Sequence, residues 1–258
     1  KRLFLIQSLL NERPSCQKQI IPADSERQNI LLRGLMNVRR PVRIGADFLQ
    51  VQDAYLQDET AAKGITDIAG LTPIQPGLYL WQGDITTLKC DAIVNAANSQ
   101  MLGCFVPCHG CIDNAIHTYA GVQLRIECAR VMSAQKEEPT GGAKITKAYN
   151  LPCHYVLHTV GPVIYGSVTK ADRELLASCY RSCLDLATEY GLHSVAFCCI
   201  STGEFHFPNE RAAEIAVKTV KDFMTEQASV RKVIFNVFKN CDCGIFGTVD
   251  SAKNYDAE

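Results

Sequence analysis

The residues best able to do chemistry lie in one run, Gly103-Cys104-Phe105-Val106-Pro107-Cys108-His109-Gly110-Cys111-Ile112-Asp113-Asn114-Ala115-Ile116-His117. Three cysteines and a histidine fall within eight residues of it, a density of soft donors that core packing rarely produces. Zinc takes thiolate and imidazole readily, in tetrahedral geometry. A structural zinc site normally has four protein ligands, often in two pairs far apart in sequence, whereas these all come from one glycine- and proline-containing loop. If three of them bind, one coordination position stays open, the arrangement of a catalytic or substrate-binding metal. Cys104, His109 and Cys111 converge if the loop wraps an ion, and Cys108 competes with them. A merely reactive or structural cysteine cluster is the plainer alternative.

Three further loops carry residues suited to a sugar or phosphate ligand. In Gly83-Asp84-Ile85-Thr86, a carboxylate at a strand end can accept from an exocyclic amine; alone, capping of the next turn is the simpler reading. Asn95-Ala96-Ala97-Asn98 ends a strand with two amides, each a donor and an acceptor, which suits a diol or ribose as well as a turn. Ser201-Thr202-Gly203-Glu204-Phe205-His206-Phe207-Pro208 leads from an apolar strand into a helix. Small residues beside a helix N-terminus form an anion cradle suited to a diphosphate, and Phe205 or Phe207 is placed to cover a sugar.

The elements that must position these loops alternate. LYLWQGDI, DAIVNAAN, AKITKAYN, YVLHTVG, SVAFCCIS and KVIFNVF read as short buried strands. Asp172 to Tyr190 puts Leu175, Leu176, Cys179, Cys183 and Leu186 on one helical face, with Gly191 as the stop. Asn209 to Ala228 does the same with Ala213, Ala216, Val217, Val220 and Phe223, after Pro208. Such alternation implies a parallel or mixed sheet covered on both faces, with ligands held beyond the carboxyl ends of the strands. Prolines and glycines in GLTPIQPGLYL break the chain into a helical N-terminal extension over residues 1–72 and a main domain over 73–258. In the extension, Ile30, Leu31 and Leu35, then Phe48, Leu49 and Leu56, have helical spacing, and Asp24 and Asp47 are expected N-caps.

Composition narrows the function classes. At 258 residues, with 47% hydrophobic and 21% charged residues, the chain is an ordinary globular protein. Its 26 Lys+Arg against 27 Asp+Glu give a net charge of −1, which offers no basic field for nucleic acid. No apolar stretch approaches the roughly 20 residues that cross a bilayer. The opening KRLFLIQSLLNERP lacks a small-residue cleavage site and reads as an amphipathic helix rather than an export signal. The 13 cysteines, several in apolar runs such as Cys198 and Cys199, fit a reducing, cytoplasmic home.

GDIT, then NAAN, then the loop running into CIDNAIH, then STGEFHFP resembles the order of motifs in macrodomains, α/β/α modules that bind ADP-ribose. GCFVPCHGCIDNAIH resembles the signature of their zinc-dependent branch, which also carries a helical N-terminal extension, so the likeness spans essentially the whole chain. It implies a three-layer α/β/α macrodomain with a mixed central sheet. It further implies that Cys104, His109 and Cys111 bind Zn2+, that Asp84 and the Ile85 backbone hold the adenine, and that Asn98 meets the distal ribose. Ser201, Thr202, Gly203, Glu204 and Phe205 would wrap the diphosphate, with Phe205 near the distal ribose and Phe238 against the adenine. His206 stands where many zinc-free macrodomains have glycine. Asp113 matches the aspartate of the zinc-free hydrolases, and with Asn98 it is the expected catalytic pair, as helper base or hydroxyl anchor.

The implied activity is zinc-dependent hydrolysis of mono-ADP-ribose from modified protein side chains, by a monomer. The zinc would bind a water or a distal-ribose oxygen, and two charge-neutralising thiolates favour positioning and polarisation of the ribose. Members of the branch are associated with sirtuin-type ADP-ribosyltransferases and with lipoyl-carrier proteins such as the glycine cleavage H-like protein, the linkage being an ester to an acidic side chain. The rival readings are a module that binds ADP-ribose without cleaving it and a structural zinc protein.

Overall fold

A computed structural model of the chain describes residues 1–13 and 19–238. It opens with helices α1 (Arg2–Asn11), α2 (Ser25–Asn37) and α3 (Ala46–Lys63). Asp24 caps α2 as expected, its carboxylate accepting from the Arg27 amide at 2.8 Å. Asp47 is not a cap. Gly45, in extended backbone, takes that position, and Asp47 falls in the first turn of α3, where its charge still complements the helix dipole. Leu35, Phe48 and Leu56 are buried, but Ile30 is 56% exposed. The apolar stripe of α2 is Leu32, Leu35 and Met36, and at about 100° per residue Ile30 lies on the far side of it, the side on which the buried residue is the polar Asn37. These helices share a small core of Leu5, Ile6, Leu9, Leu10, Leu32 and Phe48, joined by Val122 of the main body.

The main body continues with β1 (Thr66–Asp67), β2 (Leu78–Gln82), β3 (Leu88–Lys89), β4 (Ala92–Ala97), α4 (Ile112–Ala120), α5 (Val122–Val131), β5 (Ala143–Lys147) and β6 (Tyr155–Val160). It ends with α6 (Lys170–Glu189), β7 (Ser194–Phe197), α7 (Asn209–Glu226) and β8 (Lys232–Val237). β1 and β3 form a small parallel pair. The other six strands form one sheet in the order β2-β8-β7-β4-β6-β5, parallel throughout except that β5 runs against β6. This is the expected mixed sheet.

Successive side chains of a strand point to opposite faces. On β6, His158 meets Cys128 of α5, while Thr159 is hydrogen-bonded to Cys179 of α6. The sheet is therefore sandwiched, with α4 and α5 on one face and α6, packed on α7, on the other. Helix α6 starts earlier than Asp172 because Thr169 and Asp172 build a capping box. Three strands stop well short of the runs read for them: the chain leaves β2 at Gly83 to enter a 3₁₀ turn over Ile85–Thr87, β5 ends at Lys147, and β7 stops at Phe197. Residues 112–117, read above as loop, are helical, and α5 follows α4 through Gly121 at φ +93°.

Candidate metal centre and ligand cleft

Strand order reverses between β4 and β7, and in open α/β sheets ligands bind beyond the carboxyl ends of the strands at such a point. The loops after β4 and β7 are the Cys/His run and Ser201–Pro208. The parallel β2 and β8 deliver Asp84 and Phe238 to the same sheet edge.

The two amides of β4 part company. Asn95 is fully buried and donates to Asp113 Oδ1 at 2.8 Å and to His158 Nδ1 at 3.1 Å. Asn98, half-buried past the strand end, accepts from the Gln100 amide at 3.1 Å and donates to the Gly103 carbonyl at 3.3 Å. It is thereby tied to the mouth of the cysteine loop. Gly103 has φ +80°, and a Cβ there would lie 2.8 Å from the His117 ring, so this turn requires glycine.

The donor atoms of Cys104, His109 and Cys111 all lie within 4.8 Å of one another, with Cys104 Sγ 3.6 Å from His109 Nδ1. Zinc bonds of about 2.3 Å to sulfur and 2.0–2.1 Å to nitrogen, at a tetrahedral angle, separate such donors by about 3.6 Å. The Cys104–His109 separation has that value and Cys111 lies within 4.8 Å of both, so two thiols and an imidazole fit the metal. His109 turns Nε2 toward Glu204 Oε1 at 3.6 Å, so that its Nδ1 faces Cys104 while the contact brings the β4 and β7 loops together. Cys111 is the N-cap of α4, with Sγ accepting from the Asn114 amide at 3.4 Å. Burial pushes its thiol up to about 12, the Asn114 bond opposing and neighbouring Cys104 adding to the rise, so a cation is what would hold Cys111 as a thiolate. Cys108, the competitor, turns away: its thiol meets the Ile30 carbonyl at 3.3 Å and its amide donates to Asn37 Oδ1 at 2.9 Å.

In the β7 loop, Ser201 (φ +64°) is buried, and its hydroxyl has no partner among the described residues. Thr202 bonds the Cys199 carbonyl through its hydroxyl at 3.0 Å, Phe205 O accepts from the Ile164 amide at 2.9 Å, and Gly203 and Glu204 are exposed. Of the two phenylalanines, Phe207 is 1% exposed and belongs to the core; half-buried Phe205 is the one left to face a ligand. His206 holds φ +57°, which explains why glycine suits that place.

Asp84 caps the 3₁₀ turn, accepting from the Thr86 amide and hydroxyl at 3.0 and 2.6 Å, and it pairs with Lys63 of α3 at 2.8 Å. Burial opposes its charge, but Lys63 and the Thr86 donors outweigh burial and hold the carboxyl below its ordinary range. The Ile85 side chain is buried, and Phe238 is 75% exposed. Asn236 donates to the Gly83 carbonyl at 2.9 Å and so ties β8 to this loop.

Asp113 is not at the cleft surface. It is 5% exposed, bonded to Asn95 and 3.6 Å from His117 Nε2. Burial pushes its carboxyl up to about 6, against the pull of Asn95 and Arg125. Sequence reasoning also missed Arg125, which is buried on α5. Its guanidinium donates to the carbonyls of Leu102 (2.6 Å), Asn37 (2.6 Å) and Arg39 (2.7 Å), and stacks on Phe105 at 4.2 Å. Nothing in its local pattern marked it. A second group of donors, His117, Cys128 and His158, is wholly buried. His158 already uses both nitrogens: Asn95 donates to Nδ1, so Nε2 carries the proton, toward Thr146 Oγ1 at 2.9 Å. This is a core network rather than a second ligand set.

The fold and site define an α/β/α ligand-binding domain with a cluster of two cysteines and a histidine on the rim of its cleft. Comparison with known proteins agrees. A family profile described as Macro domain matches residues 94–216. A protein-ADP-ribose hydrolase of Treponema medium is 56% identical over 97% of this chain and 98% of its own. One from Staphylococcus aureus (strain MSSA476) is 49% identical over 99% and 96%. The Trypanosoma brucei macrodomain, solved in complex with ADP-ribose, superposes with a TM-score of 0.65 at 32% identity, over 83% of this chain and 94% of that one. The chain belongs to the macrodomain family, among homologues named protein-ADP-ribose hydrolase. Among the described residues, no helix is long and apolar enough to cross a membrane.

Proposed function

We propose that this protein is a zinc-dependent hydrolase that removes mono-ADP-ribose from modified protein side chains. The observation that carries the reading is the convergence of Cys104, His109 and Cys111 beside the Ser201–Phe205 loop at the strand-order reversal. The names of the bacterial relatives and the ADP-ribose in the trypanosomal neighbour support the substrate class.

In this reading, Asp84 and the Ile85 amide take the adenine, with Phe238 against it. The buried, unpartnered Ser201 hydroxyl and the backbone through Phe205 take the diphosphate. Phe205 and Asn98 orient the distal ribose. When bound by Cys104, His109 and Cys111, zinc supplies a divalent charge that polarises and orients the group brought against it. Glu204 holds the His109 ring, and Asp113 acts on the cleft through Asn95 and α4 rather than as a surface base. The family resemblance adds the acceptor: an acidic side chain of a lipoyl-carrier protein modified by a sirtuin-type transferase. A monomer in the cytoplasm completes the proposal.

The test is release of ADP-ribose from a mono-ADP-ribosylated carrier protein by as-purified, chelated and zinc-restored enzyme. Turnover that falls on chelation and returns with zinc is the expected result. Tight ADP-ribose binding with no release in any state would make the chain a reader. A chelated protein that unfolds would make the metal structural.

A further inference from the structure

We propose that helix α2 of the N-terminal extension is a working part of the metal centre, with Arg33 as the positioning residue that holds the Cys104–Cys111 loop in its ligating shape. This rests on the zinc reading of that loop. The loop has little regular structure of its own, and a loop that must order when it binds loses affinity to the entropy of ordering. Here the ordering is supplied from outside. Arg33 donates through Nη2 to the His109 carbonyl at 3.0 Å and to Asn114 Oδ1 at 2.9 Å, so one guanidinium grips a ligand residue and the first turn of α4. Asn114 in turn donates to the Val106 carbonyl at 2.9 Å.

Asn37, one turn further along α2, accepts from the Cys108 amide and donates to Thr118 at 2.9 Å. Cys108 sits at φ +54°, a left-handed conformation that needs support when the residue is not glycine, and its thiol is spent on the Ile30 carbonyl of the same helix. At the other end of the loop, Arg125 joins the Cys104 carbonyl to the carbonyl of Asn37. Gly34 faces Pro107, where an added Cβ would come within 3.7 Å of the proline ring. Neither Arg33 nor Asn37 contributes to the donor set, so any effect they have on metal is exerted through the loop.

The experiment uses the full chain. Zinc affinity is read by competition with a chromophoric chelator, and site geometry by the thiolate absorption of the cobalt-loaded protein. Arg33→Gln is expected to weaken zinc binding by about tenfold or more, the range seen when outer partners of metal ligands are removed. The cobalt spectrum should change, and the chelated variant should melt where the chelated wild type does. Arg33→Lys, which keeps a donor for the carbonyl but not the fork to Asn114, should recover part of the affinity. It also carries the test if Arg33→Gln fails to fold. Arg27→Gln, on the exposed start of α2, should change nothing. Wild-type affinity and spectrum in both Arg33 variants, or equal losses in the Arg27 variant, would overturn the inference while leaving the zinc reading intact. A wild-type protein that takes up no zinc would overturn both.

Discussion

The interior of the β4–β6 region sets an acid limit on stability, and His158 provides the measure of it. The side chain is completely buried on β6. It faces Asn95 of β4, Thr146 of β5, Cys128 of α5 and the His117 ring of α4, whose centroid is 6.0 Å away. Asp113 of the covering helix α4 is bonded to Asn95 instead, and Lys144, opposite His158 on β5, is paired with Glu138. Burial therefore pushes its pKa from 6.5 down to about 3. His158 is neutral in the folded protein and takes up a proton on unfolding below pH 6.5, so its contribution is complete above that pH and lost as pH falls toward 3. The slope is about 1.4 kcal/mol per pH unit, which gives about 2 kcal/mol between pH 6.5 and 5 and about 5 kcal/mol over the whole window. Against a typical domain stability of about 5–15 kcal/mol, that is a large share. His117, equally buried and pushed the same way, steepens the slope. The assay is urea unfolding of zinc-free protein at pH 7, 6 and 5, since acid also strips metal from a thiolate site. His158→Gln should start less stable and lose about 2 kcal/mol less than wild type on going to pH 5. Parallel losses in the two proteins would refute the argument.

Three further outcomes are expected. Gly161→Ala puts a methyl 2.0 Å from Ser201 Oγ and 2.9 Å from Ile200 Cγ2; overpacking of about 1–3 kcal/mol should lower the Tm by several degrees. Calorimetric titration should show weaker ADP-ribose binding, and undiminished affinity would remove Ser201 from the ligand contacts. Glu204→Gln should weaken zinc binding by about tenfold in chelator competition without moving the Tm of chelated protein, because Glu204 is exposed and touches the site only through His109. Cys108→Ala should retain the wild-type zinc content by metal analysis, and Cys104→Ala should lose it; equal loss in both would put Cys108 back among the ligands.

What the sequence by itself determined is what short-range energetics decide. Short apolar runs rich in β-branched residues, and the helical spacing of Leu176, Cys179 and Cys183, placed most of the strands and two long helices, because burial on both faces of a strand or on one face of a helix is written in neighbouring residues. The Asp24 cap was equally local. The ligand trio lies within one loop, so its donor chemistry was visible before any contact was known, and the motif order carried the family resemblance. Helices α4 and α5 were also signalled, by Ile112, Ile116, Ala120, Leu124 and Cys128 at every fourth position, a pattern hidden behind the interest of the cysteines. The tertiary structure decided which of several similar residues faces what. Asn95 and Asn98 are alike on paper, but odd spacing along β4 sends one into the core and leaves the other past the strand end. Phe207 is drawn into the core and Phe205 is not, and Cys108 is turned onto α2. Arg33 and Arg125 reach the loop from 70 and more residues and from a neighbouring helix, respectively, to bond backbone carbonyls. A carbonyl looks the same in every residue, so bonds of that kind leave no mark on the sequence, and only the packing of α2 against α4 brings their partners within reach.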